Sequence, residues 1–135
     1  MKNLALLFVS ACFIFFSCQK ESKSERFLLL TGPTWASDSL LYNGVDAGDP
    51  GEKLAKFKGD AKFRDNGTGY FGQYIGEWRF SSNETELVIT SDSLQFALSA
   101  NIAELTKTSL KIYTVYPNLE NPSEPINIRM TFKTK

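Results

Sequence analysis

The sequence predicts an all-β domain in which eight antiparallel strands form an up-and-down (meander) β-barrel. From Trp35 onward, short runs of alternating apolar and polar residues indicate strands with one buried and one solvated face. Turn-forming residues separate these runs about every 8 to 14 positions, which favours hairpins between sequence neighbours. Eight strands in a meander can remove their exposed edges by closing into a barrel.

The first 17 residues are predicted to form a signal peptide. Lys2 gives the chain a positive start, residues 4–16 are almost uninterruptedly apolar, and Ser17 is the small residue expected before a cleavage site. About 13 apolar residues fall short of the roughly 20 that a membrane-spanning helix requires. We therefore expect this segment to be removed.

Two cysteines are candidates for lipid attachment at the processing site. Cys12 ends the better match to a lipobox, but cleavage there would leave the apolar residues 13–16 at the new terminus. Cys18 stands where the apolar run ends and polar residues begin, and we favour it as the lipidated residue. Two or three acyl chains on one cysteine provide stable anchoring, whereas a single chain is marginal.

Residues 18–26 are predicted to be a lipidated, disordered tether, because they are polar and charged. Gln19, Lys20 and Glu21 resemble the export signal of lysine and acidic residues that follows the lipidated cysteine in surface-exposed lipoproteins of the Bacteroidetes. The alternative is a solvated tether without a signal. We expect a protein anchored by lipid in the outer membrane and exposed at the cell surface.

Residues 27–135 are expected to form a single barrel domain without a disulfide bond. After cleavage only the lipidated cysteine remains, so stability must come from packing, to which the 13% of aromatic residues contribute. The 15 basic and 15 acidic residues balance, and no basic face suggests nucleic acid as a partner.

The candidate strands follow the alternation and the turn signals. In the last of them, Ile128 and Met130 face opposite to Arg129. Asp65-Asn66-Gly67 predicts a tight hairpin, because Asn and Gly accept positive φ. The eight strands lie near residues 34–42, 54–64, 68–73, 75–81, 85–90, 94–103, 108–116 and 126–133.

Several short motifs together resemble the lipocalin-like domains of Bacteroidetes lipoproteins. They are Leu30-Thr31-Gly32 with Trp35, residues 62–69, Gly76-Glu77-Trp78, and Glu104-Leu105-Thr106 with Leu110. The resemblance covers residues 27–135 and implies a small calycin-like barrel. It also implies a cation–π contact between Trp35 and a late arginine, for which Arg129 is the candidate. Strand parity instead places Arg129 on the solvated face.

The residue types present exclude most catalytic chemistry. The chain has no histidine, and after processing it has no free thiol, which excludes Ser-His-Asp and Cys-His catalysis and ordinary zinc sites. The carboxylates lie mostly at turns or on polar strand faces, so we predict no enzyme and no cofactor. Asp46, Asp49 and Glu52 crowd one loop, but their spacing matches no EF-hand, and we expect a solvated acidic loop without a metal.

Six aromatic side chains are candidates for the lining of an interior cavity. An eight-stranded barrel either holds one small ligand or fills with side chains. An open interior predicts binding of a small apolar or amphipathic molecule. A filled interior predicts a non-enzymatic accessory protein with a protein partner in an envelope complex. The six candidates are Trp35, Phe63, Tyr70, Trp78, Phe80 and Phe96.

Overall fold

The computed structural model describes residues 22–135, so the predicted signal peptide and Cys18, Gln19, Lys20 and Glu21 lie outside the described part. Within that part the chain forms one helix, a short 3-10 turn and nine strands. In chain order these are α1 (Glu25–Thr31), β1 (Trp35–Tyr42), β2 (Val45–Asp46), the 3-10 turn (Ala55–Phe57), β3 (Asp60–Phe63), β4 (Thr68–Phe71), β5 (Tyr74–Phe80), β6 (Glu86–Ser91), β7 (Leu98–Leu105), β8 (Ser109–Tyr116) and β9 (Ile126–Thr134).

The strands close into a single antiparallel barrel. Each strand from β3 to β9 pairs with its sequence neighbour, and β1 pairs with both β3 and β9. The pairing of β1 with β9 runs from Trp35 opposite Thr134 to Tyr42 opposite Ile128 and closes the wall. The two-residue strand β2 extends only the end of β1. The predicted eight-stranded up-and-down barrel is therefore confirmed.

Two strand predictions are wrong at their starts. Leu54 and Phe57 are buried, but Leu54 directly precedes the 3-10 turn and Phe57 ends it. The strand begins only at Asp60, after Gly59 with a φ of 113°. Apolar residues three apart suit a 3-10 turn, in which they eclipse one another. The strand expected from residue 94 begins at Leu98 instead, because residues 92–97 form a loop.

Helix α1 covers one end of the barrel, which we call the closed end. The hairpin turns at residues 64–67, 81–85 and 106–108 form this end. The Lys23 ammonium lies 3.2 Å from the Asp65 carboxylate, and the Ser24 hydroxyl donates a hydrogen bond of 2.7 Å to Glu84. The Phe27 ring packs on Trp78 with centroids 5.6 Å apart. Helix α1 begins at Glu25, which lies within residues 18–26, the segment predicted to be a tether.

Buried aromatic side chains fill the closed half of the interior. Trp35 is completely buried, and its indole Nε1 donates a hydrogen bond of 3.0 Å to the carbonyl oxygen of Leu30 in α1. Phe63 packs against Phe71 and Trp78, with ring centroids 5.0 and 5.7 Å apart. These contacts connect the helix, β1, β3, β4 and β5 in one core.

Arg129 does not contact Trp35. It is exposed on β9, opposite Leu41 on one side and Tyr113 on the other, because the strand alternation points it away from the interior. Lys62 instead secures the segment that leads into β1. Its ammonium donates hydrogen bonds of 2.9 to 3.0 Å to the carbonyl oxygens of residues 31, 32 and 33, where the helix leaves carbonyls unpaired.

Candidate functional site

The end of the barrel opposite α1 carries a pocket, and we call this the open end. The longer connections at residues 43–59, 92–97 and 117–125 and the tight turn at residues 72–73 surround it. The pocket has a volume of about 240 Å³ and opens to solvent. It lies at the other end of the barrel from the aromatic core.

The floor and walls of the pocket are apolar and buried. Leu98 on β7 and Ile128 and Met130 on β9 point inward, as the period-two alternation of their strands requires. Leu54, just before the 3-10 turn, and Phe57, at its end, complete the buried lining. The pocket can therefore remove an apolar molecule from water.

The mouth of the pocket is more polar. Tyr42 ends β1, Tyr116 ends β8, and Lys53 precedes the 3-10 turn. The Tyr116 hydroxyl donates a hydrogen bond of 3.2 Å to the carbonyl oxygen of Ala97. Burial raises the pKa of Tyr116 above its usual value, because the charged phenolate would be poorly solvated. The Tyr116 side chain therefore adds a neutral polar group to the mouth.

The connection from residue 43 to residue 59 is held against the barrel by backbone hydrogen bonds. The N–H of Ala47 donates to Leu40 on β1, and the N–H of Leu54 donates to Ala47, both at 2.9 Å. The buried Phe57 ring lies 4.6 Å from the Tyr74 ring. The side chains that this connection contributes to the pocket are thus held in place by an ordered backbone.

The acidic residues of this connection make their contacts within it. The Asp46 carboxylate accepts a hydrogen bond of 3.0 Å from the N–H of Gly48, and Glu52 accepts one of 3.1 Å from the N–H of Asp49. Asp49 pairs with Lys58 at 2.9 Å, and this hydrogen bond raises the pKa of Lys58. Within residues 22–135 no group of three or more His, Cys, Asp or Glu side chains is placed to hold a metal ion.

Four of the six predicted lining residues lie in the closed half. Trp35, Phe63 and Trp78 are buried in the aromatic core, where they fill space. Phe80 is half-buried and packs edge-on against Trp78, with centroids 5.5 Å apart. The structure therefore brings these four together as packing, away from the open-end pocket.

The other two candidates lie apart from each other. Tyr70 lies on the outer face of β4 beneath the Arg64 guanidinium, 5.5 Å from the ring centroid, because Gly69 and Phe71 take the inward positions. Tyr70 thus does not line the interior. Phe96 is 63% exposed on the connection between β6 and β7, and it lies at the mouth of the pocket. It is the one candidate of the six that lines the pocket.

Sequence reasoning missed the pocket residues outside the strand interiors. Tyr42 and Tyr116 are the last residues of their strands, and Lys53 and Leu54 lie in a long connection. The spacing of Leu54 and Phe57, three residues apart, was the available signal, since it fits a turn of 3-10 helix better than a strand.

Comparisons with known proteins agree with the fold. No protein-family model matches the sequence, and no curated protein is found to be similar to it. The structure is similar to bovine odorant-binding protein in complex with a selenium-containing odorant (TM-score 0.53, 14% identity, 87% of this chain and 77% of that chain). It is also similar to the bovine protein with its natural ligand (TM-score 0.51, 16% identity, 86% and 77% of the two chains).

These likenesses establish the fold class alone. At identities of 14% and 16% they agree with the closed antiparallel barrel. No helix within residues 22–135 has the length and apolar character to cross a bilayer.

Proposed function

We propose that the protein binds a small apolar or amphipathic molecule in the open-end pocket. The observation that carries this proposal is an apolar cavity of about 240 Å³ that enters the barrel opposite the helix-covered end. Typical small-molecule sites span about 300 to 1,000 Å³. The present pocket lies just below this range, so it suits a small ligand of about ten non-hydrogen atoms.

The fold neighbours support this proposal. The structures of bovine odorant-binding protein contain a selenium-containing odorant in one case and the natural ligand in the other. A non-enzymatic binding role for the present chain is consistent with them. It is also consistent with the lack of histidine in the sequence.

The affinity expected of such a pocket is moderate. A ligand of about ten non-hydrogen atoms that gains about 0.7 kcal/mol per atom would bind with a Kd near 10 μM. Calorimetric titration of the unlipidated mature chain (residues 18–135) with 1-octanol tests this value. Failure of 1-octanol, 1-hexanol and 1-decanol to bind at concentrations up to their aqueous solubility would contradict the proposal.

Substitutions that fill the pocket test whether the ligand binds there, and a substitution of the same size on the outer face is the control. Leu98→Trp places a large ring in the buried wall, and we expect it to abolish octanol binding, while Val115→Trp on the exposed outer face leaves binding unchanged. Ile128→Phe is a smaller filling substitution, which preserves the test if Leu98→Trp does not fold. Circular dichroism establishes that each variant is folded. Unchanged binding to both folded filling variants would place the ligand elsewhere.

We also propose that the protein is an outer-membrane lipoprotein, anchored through Cys18 and exposed at the cell surface. Its support comes from the sequence, because Cys18 marks the change from apolar to polar residues. Metabolic labelling with a palmitate analogue in a Gram-negative host tests it. We expect Cys18→Ala to lose the label and Cys12→Ala to retain it. The opposite result would move the processing site to Cys12. Removal of Lys20 and Glu21 is a separate test of export to the cell surface.

A second function, that of an accessory protein in an envelope complex, is favoured by one observation. Exposed apolar side chains lie at or beside all four open-end connections: Val45, Ile75, Phe96 and Leu119. A photo-crosslinking residue at position 119 is expected to capture a protein partner in cells, whereas one at position 107 on the closed end is not. Equal capture at both positions, or none, would count against this function.

A further inference from the structure

The open-end pocket contains one charged side chain, and its sign narrows the class of ligand. Among the residues that line the pocket, Lys53 is the only charged one, and no carboxylate accompanies it. Lys53 is exposed at the mouth, while its neighbour Leu54 is buried in the lining. A cation thus stands at the entrance of an apolar cavity.

This ammonium has no carboxylate partner within residues 22–135. The ion pairs of that part of the chain use other lysines, and Lys58 in the same connection is paired with Asp49 at 2.9 Å. Asp46 and Glu52, which adjoin the mouth, accept hydrogen bonds from backbone N–H groups of their own loop. The charge of Lys53 is therefore available to a bound molecule.

The backbone on both sides of Lys53 is hydrogen-bonded. The N–H of Glu52 donates to the carbonyl oxygen of Asp49 at 3.0 Å, and the N–H of Leu54 donates to Ala47 at 2.9 Å. Because the backbone is already ordered, binding has to immobilise only the lysine side chain. This lowers the entropic cost of placing a charge at the mouth.

We infer that the ligand is an amphipathic anion, with a short apolar chain or ring in the pocket and a carboxylate, sulfate or phosphate monoester beside the Lys53 ammonium. This inference rests on the function proposed above. The buried Leu98, Ile128 and Met130 receive the apolar part, and the exposed mouth keeps the anionic group in contact with water. Among the residues that line the pocket, a ligand cation of the same shape would meet only the like charge of Lys53.

Three compounds with the same chain separate the contributions of charge and of apolar burial. The unlipidated mature chain is titrated by calorimetry with octanoate, 1-octanol and octylammonium at neutral pH and low salt. We expect octanoate to bind about three to ten times more tightly than 1-octanol, as for a partly exposed ion pair, and octylammonium to bind most weakly. Added salt is expected to reduce the octanoate preference by screening. Octyl sulfate and octyl phosphate then identify the preferred anionic group.

Variants at Lys53 test whether this side chain is the cause. We expect Lys53→Met to abolish the preference for octanoate over 1-octanol, and Lys53→Arg to preserve this preference. Lys107→Met, at an exposed closed-end turn, is the matched control and should change nothing.

The outcomes distinguish this inference from the proposal on which it rests. Equal binding of octanoate and 1-octanol to the wild type would overturn the anionic ligand, and a preference that survives Lys53→Met would overturn the role of Lys53. Both results would leave the proposed pocket function intact. If none of the three compounds binds, the proposed function fails as well.

Discussion

Trp35 shows how one residue connects the helix to the barrel. Its ring is completely buried at the start of β1, and its indole N–H finds the carbonyl oxygen of Leu30 at 3.0 Å. A buried N–H without a partner would be costly, so the end of the helix and the first strand stabilise each other. The strand alternation predicts that Trp35 is inward, but it does not predict the partner, which lies in a seven-residue helix.

We expect Trp35→Phe to lower the free energy of unfolding by about 2 to 4 kcal/mol. The substitution leaves the buried Leu30 carbonyl without its donor and creates a cavity beside the remaining ring. Urea denaturation followed by circular dichroism measures the change. Tyr113→Phe on the outer face is the control, expected to change the free energy by less than about 0.5 kcal/mol. Equal stability of Trp35→Phe and the wild type would refute this role for the indole.

Tyr116 makes stability depend on alkaline pH. Burial raises the pKa of its phenol above the value of 10.0, so the folded protein holds the proton more tightly than the unfolded chain does. Its contribution to stability is complete below the unfolded pKa and is lost as the pH rises through the folded pKa. We expect the urea midpoint to fall as the pH rises above about 10, and to fall less steeply in Tyr116→Phe. Parallel profiles for the two proteins would contradict this assignment.

At the scale of elements, α1 depends on contacts outside itself. A helix of seven residues is too short to be stable alone in water. Ser24 caps it by accepting a hydrogen bond of 3.0 Å from the N–H of Phe27, and the same hydroxyl donates to Glu84 in a barrel turn. The helix therefore forms where the barrel provides Glu84 and Trp78 as partners.

We expect Ser24→Ala to destabilise the protein by about 1 to 2 kcal/mol, since it removes both the cap and the contact with Glu84. Hydrogen exchange of the amides in residues 27–31, together with urea denaturation, measures this loss. Ser93→Ala, in the exposed open-end loop, is the control and should leave both quantities unchanged. Unaltered exchange in Ser24→Ala would show that the cap is dispensable.

The pairing of β4 with β5 shows why glycine is needed at one point of the wall. Gly69 lies opposite Gly76, and a Cβ atom added to Gly76 would collide with the carbonyl oxygen of Thr90 on β6. A Cβ on Gly69 would collide with the carbonyl oxygen of Lys62 on β3 and would also meet the Phe71 ring at 2.9 Å. Close backbone approach of this kind requires glycine, and it lets the aromatic ring cover the inner surface.

At the scale of the whole molecule, the barrel combines the two possibilities that the sequence left open, a filled interior and an open one. The closed half is packed with Trp35, Phe63, Phe71 and Trp78, and the open half contains the pocket. Alternation predicted the barrel because most wall residues lie in regular strands, where inward and outward positions follow from parity. It did not predict Lys53 or Leu54, because the position of a long connection depends on tertiary contacts.

The path of the chain into the barrel predicts how the pocket is oriented in a lipid-anchored protein. Lys23 and Ser24 are fixed at the closed end by Asp65 and Glu84. Six peptide steps from Cys18 to Ser24 span at most about 20 Å. In vesicles containing a lipid-bound quencher, we expect a fluorophore at Asn66→Cys to be quenched strongly and one at Leu119→Cys to be quenched weakly. Stronger quenching at position 119 would reverse the orientation.

Attachment of the chain at the helix-covered pole would determine the source from which such a protein takes up its cargo molecule. With the entrance turned outward, the supply is whatever is dissolved in the surrounding water, and molecules diffusing laterally within the supporting leaflet would have no direct route in. Exchange would then be governed by the aqueous solubility of the cargo, which favours short chains over long ones.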